Sequence, residues 1–119
     1  MRISELSAKT QVSVHRLRRY EADGLIESQR LSNGYREYDE KTVKHVIFIA
    51  MSREMGFSLP LIAEYLPRFK TGQLSAQDMM DAILARVAEI DQLIAEQTAL
   101  RQKLMDHIGW FKTQTRRKP

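Results

Sequence analysis

The sequence predicts an all-α fold interrupted by one small β-hairpin, and three observations carry that prediction. Two short helical segments, each opened by a serine cap, stand three or four residues apart near the amino end. An Asn33-Gly34 pair follows, flanked by tyrosines, as in a tight turn between two strands. From Ser75 to Phe111 there is no proline and no glycine before Gly109, and apolar residues recur there at helical spacing.

Taken in order, Ser4 is the expected N-cap of a first helix that ends near Thr10. The turn Gln11-Val12 leads to Ser13, which caps a second helix from about Val14 to Ala22. Val12 is placed to staple onto Leu17, and Gly24 supplies the left-handed stop. Two short helices joined so closely form a helix-turn-helix. Leu25-Ile26-Glu27-Ser28 reads as a short extended piece. Tyr35-Arg36-Glu37-Tyr38 reads as the returning strand, its aromatic residues on one face, so the pair makes a wing. Asp39 caps a third helix through about Met55, with Val43, Val46, Ile47, Ala50 and Met51 as its apolar stripe. Gly56 ends it, Ser58 caps a short fourth helix with Pro60 in the first turn, and Pro67 stops that helix. The loop 67–74 then separates a unit of residues 1–70 from the rest, with Met51, Met55, Met79 and Met80 as core filler near the junction.

Ser75-Ala76-Gln77-Asp78 has the form of a capping box with Asp in place of Glu. The helix it opens, over 75–111, would be roughly 50 Å long at 1.5 Å per residue. Met80, Ile83, Val87, Ile90 and Ile94 recur at alternating three- and four-residue steps. Leu93, Leu100, Leu104, Ile108 and Phe111 form a second, overlapping stripe. A unit of residues 1–70 cannot cover that face, so it is expected to pair with a second copy of the chain in a coiled coil. Residues 112–119 are expected to be a frayed basic tail.

The hydrophobic fraction of 43% supports a compact core, and no apolar run is long enough to span a bilayer. The amino terminus lacks a secretory signal pattern, which fits a cytoplasmic protein. The net charge of +4 resides in the tail: Lys112, Arg116, Arg117 and Lys118 leave 15 bases against 15 acids over residues 1–111. Overall basicity therefore says nothing about nucleic acid, and the placement of the bases must decide. His15, Arg16, Arg18 and Arg19, followed by Tyr20, crowd the second helix. Like charges at that spacing repel, which a purely structural helix gains nothing from. A helix entering a major groove does gain, because guanidinium groups pair with guanine edges and phosphates. His15, Arg16 and Arg19 suit base edges, and Arg18 and Tyr20, at the margins, suit backbone phosphates. Ser13 at the helix start belongs to the same DNA-binding set, and the wing adds Arg30, Tyr35, Arg36 and Tyr38.

With these residues in place, the sequence resembles the MerR family of bacterial transcription regulators. The segments that carry it are Ile3-Ser4-Glu5-Leu6, Val12 to Glu21, Gly24-Leu25-Ile26, Asn33 to Tyr38 and Met55-Gly56-Phe57-Ser58-Leu59, with the long final helix. The resemblance implies a winged helix-turn-helix and an antiparallel coiled-coil dimer on pseudo-palindromic, double-stranded promoter DNA. It also implies that the spacer is bent and untwisted so that RNA polymerase engages both promoter elements. Three departures stand out: Arg16 where a threonine-like residue is usual, Arg19 where an aromatic is usual, and Gln11 where glycine is common.

Other readings fare worse. No phosphate loop, nucleophile elbow or paired carboxylate suggests an enzyme. The sequence has no cysteine, the residue by which metal-sensing members of the family bind, and His15, His45 and His107 are scattered over three helices, so no metal and no cofactor are expected. The principal alternative is a MerR-like chaperone modulator that binds protein instead of DNA, for which a cationic second helix and a Gly-Tyr-Arg wing would have no use.

Overall fold

A computed structural model of the chain describes residues 1–116. It contains five helices and one hairpin: α1 (Ile3–Thr10), α2 (Val14–Ala22), β1 (Gln29–Arg30), β2 (Arg36–Glu37), α3 (Lys41–Glu54), α4 (Leu59–Lys70) and α5 (Ala76–Arg116). The strands pair antiparallel, with Gln29 opposite Glu37 and Arg30 opposite Arg36. The chain divides into two compact units, one spanning Met1–Met80 and the other beginning at Asp81.

In the first unit α1 packs on α2 and α3, and α3 packs on α4. The centre is Leu6, Leu17, Val46 and Ile49, all fully buried, with Ile62 beside them. Phe48 of α3 stacks on Phe69 of α4 with ring centroids 4.4 Å apart. The helix ends follow local sequence. Ser13 Oγ accepts from Arg16 N at 3.1 Å, and Ser58 Oγ accepts from Leu61 N at 3.3 Å. Gly24, at φ 77°, lets its own amide donate to Glu21 O while Leu25 N donates to Tyr20 O. That pair of bonds satisfies the last carbonyls of α2 and turns the chain toward the wing.

Several expectations need correction. α1 begins at Ile3, with Arg2 and not Ser4 at the cap position and no side-chain cap. The residues Leu25 and Ile26, expected as a strand, are buried core, and the strand lies at Gln29–Arg30. Tyr35 and Tyr38 do not share a face: Tyr35 is 54% exposed and Tyr38 only 2%. Three residues apart in extended chain, they must point oppositely. The α3 stripe is displaced, with Thr42, Val46, Phe48, Ile49 and Ser52 buried and Ile47 and Met51 nearly half exposed. Met51 and Met80 are therefore not core filler. The cap position of α3 is Glu40 and not Asp39, with no side-chain cap, although Asp39 Oδ1, one residue ahead, accepts from Lys41 N at 2.9 Å. Pro67 sits inside α4, which runs one further turn, because a proline removes only its own donor and the carbonyl of Pro67 still accepts from Thr71 N.

The capping box that opens α5 forms as expected. Asp78 N donates to Ser75 Oγ and Ser75 N to Asp78 Oδ2, each at 3.0 Å, while Arg68 Nη2 reaches the same carboxylate at 2.8 Å. The bonds from Ser75, ahead of the charge of Arg68, hold the Asp78 carboxyl below the ordinary carboxylate range. α5 does not fray at Phe111. It continues to Arg116, about 60 Å in all, since Gly109 alone is too weak a breaker to stop it. The expected basic tail is thus helical through Arg116, and Arg117, Lys118 and Pro119 lie outside the described residues. Along the second unit Ile83, Val87, Ile90, Leu93, Ile94, Leu100 and Leu104 are each between 39% and 58% exposed. No described helix is long and apolar enough to cross a membrane.

Gln11 takes the left-handed conformation that glycine favours, at φ 60° and ψ 23°, and its amide closes α1 by donating to Ser7 O at 2.9 Å. Replacing it tests the strain directly. Gln11→Gly is expected to raise unfolding stability by about 0.5–1 kcal/mol, read from the denaturant midpoint at unchanged slope.

Candidate nucleic-acid interface

α2 is amphipathic in an unusual sense, apolar on one side and cationic on the other. With about 3.6 residues per turn, Leu17, Tyr20 and Glu21 share one face, His15, Arg19 and Ala22 the opposite one, and Arg16 and Arg18 the flanks. Leu17 and Tyr20 are buried, whereas His15, Arg16, Arg18 and Arg19 are exposed. Tyr20, expected at the margin of the cationic face, belongs to the packed face instead. Its hydroxyl accepts from Arg16 Nη2 at 2.8 Å, which tethers Arg16 along its flank and leaves the phenolic proton available to another acceptor. The outward centre of the helix is therefore His15 and Arg19.

The wing is a three-residue loop, not a two-residue one. Gly34 N donates to Leu31 O, Leu31 N to Tyr35 O, and Tyr35 N to Asn33 Oδ1 at 3.1 Å, with Gly34 at φ 86°. What fixes the wing against α2 is one carboxylate. Glu21 accepts from the Tyr38 hydroxyl through Oε1 in a short hydrogen bond. Through Oε2 it accepts from Ser28 Oγ at 2.9 Å and from Arg36 Nη1 at 3.1 Å. Residues from before β1, on β2 and after β2 thus converge on a single side chain of the cationic helix. The sequence reading passed over Glu21 as part of the core face. The available signal was an acid, three residues beyond Arg18, ending a segment otherwise rich in arginine.

The candidate DNA-binding residues fall into two groups. Arg18, Tyr35, Arg36 and Tyr38 line a notch of about 310 Å3 together with Arg2, Ile3 and Gly34. On the other flank Arg16, Arg19 and Tyr20 line a groove that also includes Arg53, Asp23 and Glu54. Ser13 serves as the helix cap, and Arg30 stands directly across the hairpin from Arg36. Like charges directly opposite on paired strands are destabilising, and an anion lying along the wing relieves that cost. His15, His45 and His107 lie on α2, α3 and α5, and no cluster of three or more metal-ligating side chains occurs among the described residues. Burial, then the neighbouring Lys70, holds the His45 pKa below its ordinary value, with Lys41 adding to the effect against Asp39.

Residues 1–68 match the model of the MerR HTH family regulatory protein, and residues 43–107 match the model described as MerR, DNA binding. The chain belongs to the MerR family. Among its relatives, the HTH-type transcriptional regulator HmrR of Rhizobium leguminosarum bv. viciae is 34% identical, over 87% of this chain and 81% of its own. The mercuric resistance operon regulatory protein of Bacillus cereus is also 34% identical, over 88% of this chain and 80% of that one. The crystal structure of the transcription regulator PbrR691 from Ralstonia metallidurans CH34, in complex with lead(II), superimposes with a TM-score of 0.72 at 31% identity. It covers 89% of this chain and 83% of that one. The family expected from the helix-turn-helix, wing and long helix is therefore the family found, and these MerR relatives are transcription regulators, not enzymes.

Within this MerR-family chain the Tyr38 contact has a pH signature. Burial first, and then the bond and charge of Glu21, push the Tyr38 pKa up from 10.0 to about 12. A proton held more tightly in the folded state stabilises fully below pH 10 and loses its contribution as pH rises from 10 through 12. In an ultraviolet titration one of the four tyrosines is expected to ionise near pH 12. Tyr38→Phe should remove that component and flatten the fall in stability over the same interval. Ionisation of all the tyrosines near 10 would contradict the contact.

Proposed function

We propose that this MerR-family chain regulates transcription by binding a pseudo-palindromic promoter site as a homodimer, with α2 in the major groove and the wing on the flanking backbone. The observation that carries this reading is the cationic surface assembled from two elements. His15, Arg16, Arg18 and Arg19 are exposed on α2, and Glu21 of the same helix holds Arg36 of the wing beside them. An α-helix of this width fits a major groove, and arginine forks pair there with guanine edges. His15 and Arg19, central on the exposed face, are the base-reading candidates. Arg18, Tyr35 and Arg36 suit phosphates. Bending and untwisting the promoter spacer costs several kcal/mol on typical elastic estimates, and phosphate contacts on the deformed duplex offset it. A protein-binding chaperone modulator would draw no benefit from this exposed cationic surface.

The unit architecture supports the same reading. Residues 1–70 serve as the DNA-binding unit and 75–111 as the pairing helix. The apolar stripe from Met80 to Phe111 has its midpoint between residues 95 and 96. An antiparallel pair about that point sets Met80 against Phe111, Ile83 against Ile108 and Val87 against Leu104 of the other protomer. The relatives named for mercuric resistance and lead(II) invite a metal reading, but this sequence has no cysteine and offers no thiolate site within its 119 residues.

Two measurements test these roles. Arg19→Ala is expected to relax preference at one base pair per half-site by about 1–3 kcal/mol, with nonspecific binding nearly unchanged. Arg18→Ala should instead weaken all duplexes alike and flatten the salt dependence by about one unit per protomer. The cysteine-free background makes the pairing equally testable. Val87→Cys mixed with Leu104→Cys should form an oxidised heterodimer, with neither variant cross-linking alone. A parallel pair would give the reverse.

A further inference from the structure

We propose that the notch between the amino-terminal segment and the wing binds one phosphodiester group of the DNA backbone, with Arg2 as a phosphate ligand. This rests on the promoter-binding reading and adds a residue to it that the helix-turn-helix pattern does not mark. The notch is lined by three arginines, Arg2, Arg18 and Arg36, with Tyr35, Tyr38, Ile3 and Gly34, and no acidic residue lines it. Arg36 already donates to Glu21, but neither Arg2 nor Arg18 has a carboxylate partner among the described residues. Two uncompensated guanidinium groups on one small concavity repel each other, and a single anion between them removes that repulsion.

Arg2 is also held for the task. Met1 exchanges two backbone bonds with Tyr38: its amino group donates to Tyr38 O at 2.8 Å, and Tyr38 N donates to Met1 O at 2.7 Å. This pairing ties the first residues to the end of β2. The Arg2 guanidinium then lies 4.0 Å from the centre of the Tyr35 ring. Stacking on an aromatic face satisfies the flat side of a guanidinium while its N–H edge stays free, the geometry that suits bidentate pairing with two phosphate oxygens. The exposed Tyr35 hydroxyl adds a donor. The notch shares Arg18 with the cationic face of α2, so a backbone phosphate of a duplex seated on that face is the occupant the geometry favours over free phosphate.

The test uses the full-length protein and a duplex selected from a random pool by the wild type, with a scrambled duplex beside it. Binding is measured against potassium chloride for wild type, Arg2→Ala, Arg2→Lys and the control Lys44→Ala, whose site is exposed on α3 away from the notch. With one notch per protomer and about 0.9 of slope per neutralised phosphate, Arg2→Ala should lower the slope by about 2 per dimer. It should weaken both duplexes by the same factor, on the order of ten-fold at physiological salt. Arg2→Lys should keep the slope, and Lys44→Ala should match wild type. An unchanged slope in a folded Arg2→Ala protein, or a loss confined to the selected duplex, overturns the notch assignment alone. So does saturation of the notch by micromolar inorganic phosphate, followed through the Arg2 and Tyr35 amide resonances, with duplex binding indifferent to Arg2. A wild type with no affinity for any duplex overturns the regulator reading itself, and the notch with it.

Discussion

The carboxylate of Glu21 is the point through which recognition helix and wing become one surface. A two-residue strand pair buries almost nothing and is marginal by itself. Here both strands expose their side chains, so the hairpin is held by its ends: Tyr38 in the core, Met1 paired to Tyr38, and Ser28, Arg36 and Tyr38 bonded to Glu21. Hydrogen bonds to a charged group contribute about 1.5–3 kcal/mol each where they are partly shielded. The Arg36 contact, half exposed, is worth less than that and serves mainly to aim the guanidinium. An acid in the middle of a cationic surface runs against what a protein that meets phosphate needs. Its position on the inward face of α2 resolves this, since it neutralises part of the wing and leaves Arg18 and Arg19 outward.

Much of this was legible in the sequence, for identifiable reasons. Serine caps and glycine stops act locally, and Ser13, Ser58, Ser75 and Gly24 do what their chemistry dictates wherever the rest of the chain goes. Gln11 in a glycine-like turn position was equally readable. Faces were harder. Tyr20 and Tyr38 looked like phosphate donors by residue type, yet both are packed, because burial depends on which neighbours the tertiary fold brings up. The same limit displaced the α3 stripe, where Phe48 turns inward to stack on Phe69 of α4 while Ile47 stays outside. Glu21 and Arg2 were passed over because their roles depend on partners distant in sequence. Arg2 meets a ring 33 positions on, and Glu21 meets a hydroxyl 17 positions on.

α5 shows the opposite case, in which a local pattern extends further than its punctuation suggested. One glycine near a helix end costs about 1 kcal/mol, too little to stop a helix supported by neighbours on both sides. The result is a long apolar stripe for a second copy to cover, and a dimer sets two cationic surfaces about a common axis, as a pseudo-palindrome requires. On the proposed reading, His15 and Arg19 then bear on which sequence is read, while Arg18 and the wing bear on how tightly any duplex is held.

The most direct test of the Glu21 constraint is the affinity of Glu21→Gln for a duplex at fixed salt. Removing an acid from a protein that meets phosphate ordinarily strengthens binding, since net charge rises by one per protomer. If the carboxylate holds the wing in place, the variant binds more weakly, and amide exchange in Gln29–Glu37 accelerates while α1 and α3 stay protected. Equal or tighter binding with an unchanged wing would show that helix and wing keep their arrangement without it.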